Sequence, residues 1–240
     1  MDQPNINDQR LKWNQEFKRE LLTGNYPKYP NEVMVKVIFG SYLEKPIRPQ
    51  SSWKILDIGC AFGSNLIPFA DLGCEIHGVD VHQEIAENAK KVMTLRGYAH
   101  ANFLEGTNCS LPHPDNYFDL VLSVNTLHYE SNSATVMDAL AEFRRVLKVG
   151  GSVYVSTVGP EHEIYKRSRL IDEHINVIQN FGFRNDQEFF FFDNERYLNF
   201  YLSKYFNHVE TGKVREQLMT LPLDFLIAVG TKSTDLPVNQ

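Results

Sequence analysis

Short apolar runs and helical stripes alternate through the middle of the chain. Lys54 to Ile58 is apolar apart from one acid near its end, and it reads as a buried strand. Ser64 to Leu72 follows as a helix, closed by Gly73, where a left-handed stop needs no Cβ. Glu75 to Val79 is a second strand that runs into Asp80. His82 to Leu95 carries Ile85, Ala89, Val92 and Met93 on one helical face. Asn102 to Glu105 is a short strand. Tyr117 to Val124 is the most apolar strand and suits the centre of a parallel sheet, buried on both faces. Thr135 to Leu147 is a helix with Leu140, Phe143, Val146 and Leu147 inward, and Gly150-Gly151 turns the chain into the strand Ser152 to Val158. Alternating strands and helices predict an α/β fold.

The flanks are less regular. Asp8 to Leu22 is an amphipathic helix ended by Gly24. Residues 25 to 32 hold two prolines, which keep the segment extended. Glu32 to Tyr42 is a second helix, and Pro46 and Pro49 mark the linker into the first strand. After Gly159-Pro160, the isoleucines and leucines at 164, 170, 171, 175 and 178 predict a helix over Glu161 to Asn180. Lys166, Arg167 and Arg169 cluster there, as a solvated face or as a clamp for an acidic substrate. Residues 181 to 206 hold eleven aromatic side chains, which need a wall to bury against. Asp193 is placed to cap a helix over Asn194 to Tyr205. His208 to Gln217 and Asp224 to Thr231 read as two further strands.

Composition narrows the class. With 240 residues, 42% hydrophobic and 22% charged, the chain suits one soluble α/β domain with a large core. A net charge of −6 argues against a broad electrostatic grip on nucleic acid. The three cysteines, Cys60, Cys74 and Cys109, are odd in number and lack Cys-x-x-Cys spacing, so a reducing, cytoplasmic setting is expected and no metal site is read. No apolar run approaches the ~18 residues of a membrane helix. The polar, acidic start (Met-Asp-Gln-Pro-Asn) does not read as a signal peptide.

The chemistry concentrates between Asp57 and Asp80. Strand, glycine turn, helix, strand and terminal acid form half of a nucleotide-binding unit. Asp80 lies 21 residues after Gly59, where a strand-end carboxylate accepts the hydroxyls of a ribose. The dinucleotide fingerprint fails, because Ala61 and Ser64 fill its second and third glycine slots. Asp57 before the turn disfavours a pyrophosphate and favours a cation. This stretch resembles the first motif of the class I methyltransferases that use S-adenosylmethionine, an acid-x-Gly-x-Gly-x-Gly loop, matched by Asp57, Gly59, Ala61 and Gly63 with alanine at the middle glycine. Tyr117-Phe118-Asp119-Leu120-Val121-Leu122-Ser123 resembles the fourth strand of that family. Leu147-Lys148-x-Gly150-Gly151 resembles the turn before its fifth strand.

The resemblance implies a Rossmann-like doubly wound seven-stranded sheet, mostly parallel, with a C-terminal antiparallel hairpin and helices on both faces. It implies a single domain over 1–240: an N-terminal helical lid at 1–51, a cofactor-binding core at 52–158, a substrate-covering insertion at 159–192, and a C-terminal helix and hairpin at 193–240. S-adenosyl-L-methionine would be the cofactor and S-adenosyl-L-homocysteine the product. Asp57, Gly59, Cys60, Ala61 and Gly63 would meet its methionine end, Asp80 its ribose, and Val81, Thr107 and Asn108 its adenine. Thr107 stands where relatives carry an acid. Asn125 would lie between cofactor and acceptor. Tyr26, Tyr29 and Asn31 would belong to the lid, where Tyr29-Pro30-Asn31 matches a tyrosine-proline-asparagine segment of the family.

His128 follows the fourth strand, where ligands of open α/β sheets bind. An ordinary imidazole there could take a proton from an alcohol, phenol or amine acceptor. It equally suits a packing role. The implied activity is methyl transfer to a small molecule with an oxygen or nitrogen nucleophile. Two other classes stay open: a protein that binds the cofactor without turnover, and an RNA or protein methyltransferase. The negative charge and the absence of an Asn-Pro-Pro-Tyr element count against a nucleic-acid substrate.

Overall fold

The computed structural model describes residues 6–237. Helix α1 (Ile6–Thr23) and helix α2 (Glu32–Phe39) precede the core. The core runs β1 (Lys54–Ile58), α3 (Ile67–Asp71), β2 (Glu75–Asp80), α4 (Gln83–Leu95), β3 (Asn102–Glu105), β4 (Phe118–Val124), α5 (Ser133–Val146) and β5 (Leu147–Val158). A short helix α6 (Glu163–Lys166) leads into strands β6 (Ser168–Asp172), β7 (Ile175–Ile178) and β8 (Glu188–Phe190). Helix α7 (Glu195–Leu202) and the hairpin β9 (Asn207–Leu218) and β10 (Leu221–Thr231) follow.

The main sheet has seven strands in the order β3-β2-β1-β4-β5-β10-β9. The first five are parallel, and β10 runs antiparallel to both β5 and β9. The expected Rossmann-like sheet with its antiparallel ending is therefore present. Alternate side chains of each strand enter opposite core layers. Leu56 and Ile58 join the layer under α5 and α7, while Ile55 joins the layer under α2, α3 and α4. Leu120, Val121 and Leu122 of β4 are fully buried. Burying each such side chain contributes roughly 1.5–3 kcal/mol. Chain order reverses between β1 and β4, so a crevice forms outside their carboxyl ends.

Three elements differ from the sequence expectations. The helix expected over 161 to 180 is one short helix and two strands, β6 and β7, which with β8 make a second antiparallel sheet. Leu170 and Ile171 are solvent-exposed, so the spacing that suggested a helical stripe was not a buried face. Ile175 and Ile178 are buried, and β7 pairs along Phe189 and Phe190. Asn194, rather than Asp193, caps α7, its side chain accepting the Tyr197 N–H at 3.0 Å. Asp193 faces His174 instead, at 3.4 Å. Strand β5 begins at Leu147 and includes Gly150 and Gly151, which were expected to precede it.

The cations at the end of α5 are structural. Arg144 donates to the carbonyls of Tyr205, Ser233 and Asp235 at 2.7, 2.8 and 3.1 Å. Arg145 pairs with Glu142 and Asp115 and donates to the carbonyls of His113 and Leu111. Lys148 pairs with Asp119 at 2.8 Å. Arg144→Ala is expected to cost about 2 kcal/mol, because several carbonyls lose a charged donor. Thermal denaturation should show a fall of roughly 4–8 °C. Lys148→Ala, at a more exposed pair, should cost less than about 1 kcal/mol.

Candidate functional site

The candidate site sits at the crevice between β1 and β4. The chain leaves β1 at Gly59, whose φ is +68°. A Cβ there would lie 2.2 Å from Thr126 Cγ2, so only glycine fits. The Gly59 and Cys60 N–H groups donate to the Val79 carbonyl at 2.8 and 3.0 Å, tying the turn to β2. Ala61 takes the middle glycine slot with φ of +44°, a left-handed conformation that is strained for alanine. Gly63 is also left-handed, and a Cβ on it would meet Met93 and Phe103. The Cys60 thiol points into the core near Gly78, so of Cys60 only the backbone is available to a ligand.

Two carboxyl groups lie inside this turn. Asp57 is fully buried, and neither of its oxygens has a hydrogen-bond partner. Burial pushes its pKa up to about 8, against the pull of the neighbouring Asn65 side chain and with a smaller push from the Asp80 charge. Asp80, at the end of β2, accepts the Ala61 N–H at 2.9 Å and the Val81 N–H at 2.8 Å. Burial raises its pKa to about 6, although both backbone donors favour the charged form. Among the described residues no cluster of three or more His, Cys, Asp or Glu side chains is arranged to hold a metal ion.

The N-terminal segment covers the turn. Phe62 is stacked between Phe17 of α1 and Tyr26, with ring centres 4.1 and 4.6 Å away. Ser64 Oγ donates to the Pro27 carbonyl at 2.5 Å, and the Asn31 N–H donates to Asn65 Oδ1 at 3.0 Å. The Asn31 side chain meanwhile caps α2 through the Met34 N–H. Tyr26 and Asn31 are thus brought to the turn. Tyr29 is not, since its ring is 84% exposed and Pro27 and Asn31 hold the strap in its place.

Across the crevice, Asn125 leaves β4 with φ of +57°. Its N–H donates to the Ser156 carbonyl at 2.9 Å, and its Oδ1 accepts the Ser156 hydroxyl at 3.1 Å. The Thr107 backbone bridges Ser110 in both directions. The Asn108 amide donates to Glu130 at 2.7 Å and to the Thr126 carbonyl at 3.3 Å, closing the β3 and β4 loops against each other. His128 is 3% exposed, packs on Tyr129 and Phe189, and shares a 3.3 Å hydrogen bond with Thr157. Burial, with the Arg184 charge second, drops its pKa to about 3. The ring is therefore neutral and weakly basic, unlike the ordinary imidazole expected from the sequence. The cationic cluster at 166 to 169 is mostly consumed internally, with Lys166 on Glu161 and Arg167 on Glu163. Phe17 and Trp13 were expected only as part of the amphipathic helix Asp8 to Leu22, and Phe62 and Arg184 were not singled out, because a lone aromatic or arginine carries no spacing signal.

The architecture is that of the doubly wound α/β domains that hold nucleoside cofactors at a topological switch point. Residues 56–155 match the family model of a methyltransferase domain. The uncharacterized methyltransferase YcgJ of Bacillus subtilis is 32% identical over 124 residues, which cover 51% of this chain and 46% of that protein. Demethylmenaquinone methyltransferase of Anoxybacillus flavithermus is 31% identical over 112 residues, covering 45% and 46%. A solved structure of an S-adenosylmethionine-dependent methyltransferase from Methanosarcina mazei superposes with a TM-score of 0.64 at 18% identity, covering 85% of this chain and 99% of that one. These matches support a class I S-adenosylmethionine-dependent methyltransferase domain in the core of the chain. It spans about half the length of the curated relatives it matches.

The Asp57 carboxyl generates a pH prediction. Its folded pKa of about 8 exceeds its unfolded value, so the folded state holds a proton that the unfolded state has lost. That contribution is complete below the unfolded pKa and disappears as pH rises through about 8. The melting temperature of the ligand-free protein should fall by roughly 5 °C between pH 5 and 8. Asp57→Asn should flatten that slope, as read by calorimetric scans across the range.

Proposed function

We propose that this protein transfers the methyl group of S-adenosylmethionine to a small-molecule acceptor through an oxygen or nitrogen nucleophile. The observation that carries the reading is the buried Asp57 carboxyl at the switch point, approached by the Asn65 side chain but with no well-formed hydrogen bond to either oxygen. A buried carboxyl without a donor is costly, and a ligand that brings a cation or N–H groups removes the cost. S-adenosylmethionine carries an ammonium and a sulfonium. A dinucleotide would bring a pyrophosphate instead, which two acids repel. The left-handed turn from Gly59 to Gly63 carries its backbone groups close against the crevice walls.

Asp57 and the backbone of Gly59, Cys60, Ala61 and Gly63 would hold the methionine end. Asp80 would hold the ribose, since each oxygen keeps a lone pair beyond the one given to Ala61 or Val81. Val81, Thr107 and Asn108 would border the adenine. When bound, the sulfonium supplies an already activated methyl group, so the protein's task is alignment and exclusion of water. Phe17, Tyr26 and Phe62 shut the turn off from solvent on one side. Asn125, fixed by Ser156, and neutral His128, fixed by Thr157, would orient the acceptor by hydrogen bonding. With its pKa near 3, His128 serves better as a positioning group than as a general base. The name of the demethylmenaquinone relative points to a small-molecule acceptor and supports that class here. We divide the chain functionally as lid (1–51), core (52–158), acceptor-covering segment (159–192) and closing helix and hairpin (193–240).

Calorimetric titration tests the reading. S-adenosylmethionine should bind with a micromolar Kd and NADH should not bind. Asp80→Ala should weaken that affinity about tenfold or more while circular dichroism stays native. Wild-type affinity in Asp80→Ala sinks the ribose assignment, and absent binding in the wild type sinks the whole reading. With an acceptor found by screening, His128→Gln should lower kcat by less than about tenfold and leave no new limb in the pH profile near 6.5.

A further inference from the structure

Arg184 sits where three parts of the chain meet: α1, the end of β4 and the turn Gly182–Arg184. Its guanidinium carbon lies 4.3 Å from the Phe183 ring centre and 5.9 Å from that of Trp13. Its Nε donates to the Tyr129 hydroxyl at 3.4 Å. The side chain is half-buried among half-buried aromatic rings. Other arginines of this protein hold carboxylates: Arg145 on Glu142 and Asp115, Arg167 on Glu163, Arg215 on Asp224. Among the described residues Arg184 forms no ion pair. Glu16 and Glu20, the α1 acids that feel its charge, stand beyond ion-pair distance of it, and Glu16 is already held by Arg19.

A guanidinium taken partly out of water and left without an anion is an unsatisfied arrangement. Stacking between rings keeps its planar fork pre-organised for two parallel bonds to a carboxylate. The location is specific. Tyr129 follows His128 directly, and its ring packs 4.6 Å from the imidazole and 4.7 Å from Phe189. A cleft of about 320 Å³ opens between α1 and the turn, lined by Lys12, Gln15, Glu16, Arg19 and by Phe183 and Asn185, the chain neighbours of Arg184 on either side. Trp13, Tyr129 and Phe183 offer flat apolar faces around the cation.

We propose that Arg184 receives the carboxylate of an aromatic acid, and that the methyl acceptor belongs to this class. The proposal rests on the methyl-transfer reading for the word acceptor, though not for the binding itself. Tyr129 is a positioning residue, fixing the guanidinium through its hydroxyl. The competing role for Arg184 is mechanical, fastening α1 to the core by stacking on Trp13.

Benzoate and its neutral isostere benzamide separate the two roles. Binding is read on the full chain by quenching of Trp13 fluorescence in a Trp53→Phe background. Benzoate should bind saturably and more tightly than benzamide. Arg184→Gln should weaken benzoate about tenfold or more and leave benzamide unchanged, while Arg184→Lys should fall between. Equal weakening of both ligands marks a mechanical role and overturns the proposal. So does wild-type benzoate affinity in Arg184→Gln, or no saturable benzoate binding by the parent chain. Should Arg184→Gln not fold, Arg184→Lys and Tyr129→Phe decide, each expected to weaken benzoate severalfold and benzamide not at all. S-adenosylmethionine titrations of the same samples keep the two readings apart. Cofactor binding without benzoate binding removes only the acid inference. Arg184-dependent benzoate binding without cofactor binding removes only methyl transfer.

Discussion

Two carboxyl groups closed inside one turn set the terms for everything around them. Asp57 is buried without a partner, and Asp80 is buried with two backbone donors. Burial makes both harder to ionise, and the Asp80 charge adds to the effect on Asp57, so Asp57 holds at neutral pH a proton that an ordinary carboxyl would shed. The fold supports this cost elsewhere. The central strands β1 and β4 are apolar on both faces, and their burial supplies the stability against which such a site is maintained. The close approach of Thr126 to Gly59 and the left-handed Ala61 belong to the same compression. Local strain at a switch point is typical of sites built for a ligand rather than for stability.

Around that turn the protein uses two kinds of closure. One is apolar: Phe17, Phe62 and Tyr26 make a three-ring stack between α1 and the turn. The other is polar and sequence-local: Ser64 and Asn65, the first residues after Gly63, each take a backbone group of the strap at 25 to 31. The same few residues therefore shape the turn, start the helix and hold the cover. Opposite them, Asn125 and His128 are fastened to Ser156 and Thr157 of β5, and Thr126 to Ser123 of β4, by polar contacts. Both walls of the crevice are tied by hydrogen bonds, and the N-terminal segment lies across one of them.

The core was legible because its signals are local. A short apolar strand, a glycine turn and a strand-end acid each follow from one or two residues, and Asp57, Gly59, Gly63 and Asp80 fell where the sequence placed them. The antiparallel ending was legible for the same reason. Residues 161 to 192 were not. Five aliphatic residues at near-helical spacing also suit short strands, and the deciding partner, the phenylalanine run at 189 to 192, lies more than ten residues away. Tertiary pairing overrode the local pattern there. His128 shows a different limit. Its position was readable, but its acidity depends on burial and on Arg184, which no spacing reveals. Tyr29 matched a motif, yet its backbone neighbours do the holding while the ring faces solvent.

The three-ring stack has a consequence for timing. On the proposed reading, a cofactor seated at this turn would come and go past Phe62, and the Phe17 and Tyr26 faces would have to part for it. Separating such stacked rings is an opening event of the microsecond-to-millisecond kind, independent of how well the ligand fits. Association would then run below the diffusional limit, and the residence time of the spent nucleoside would be governed by α1 and the strap rather than by the chemistry beneath them.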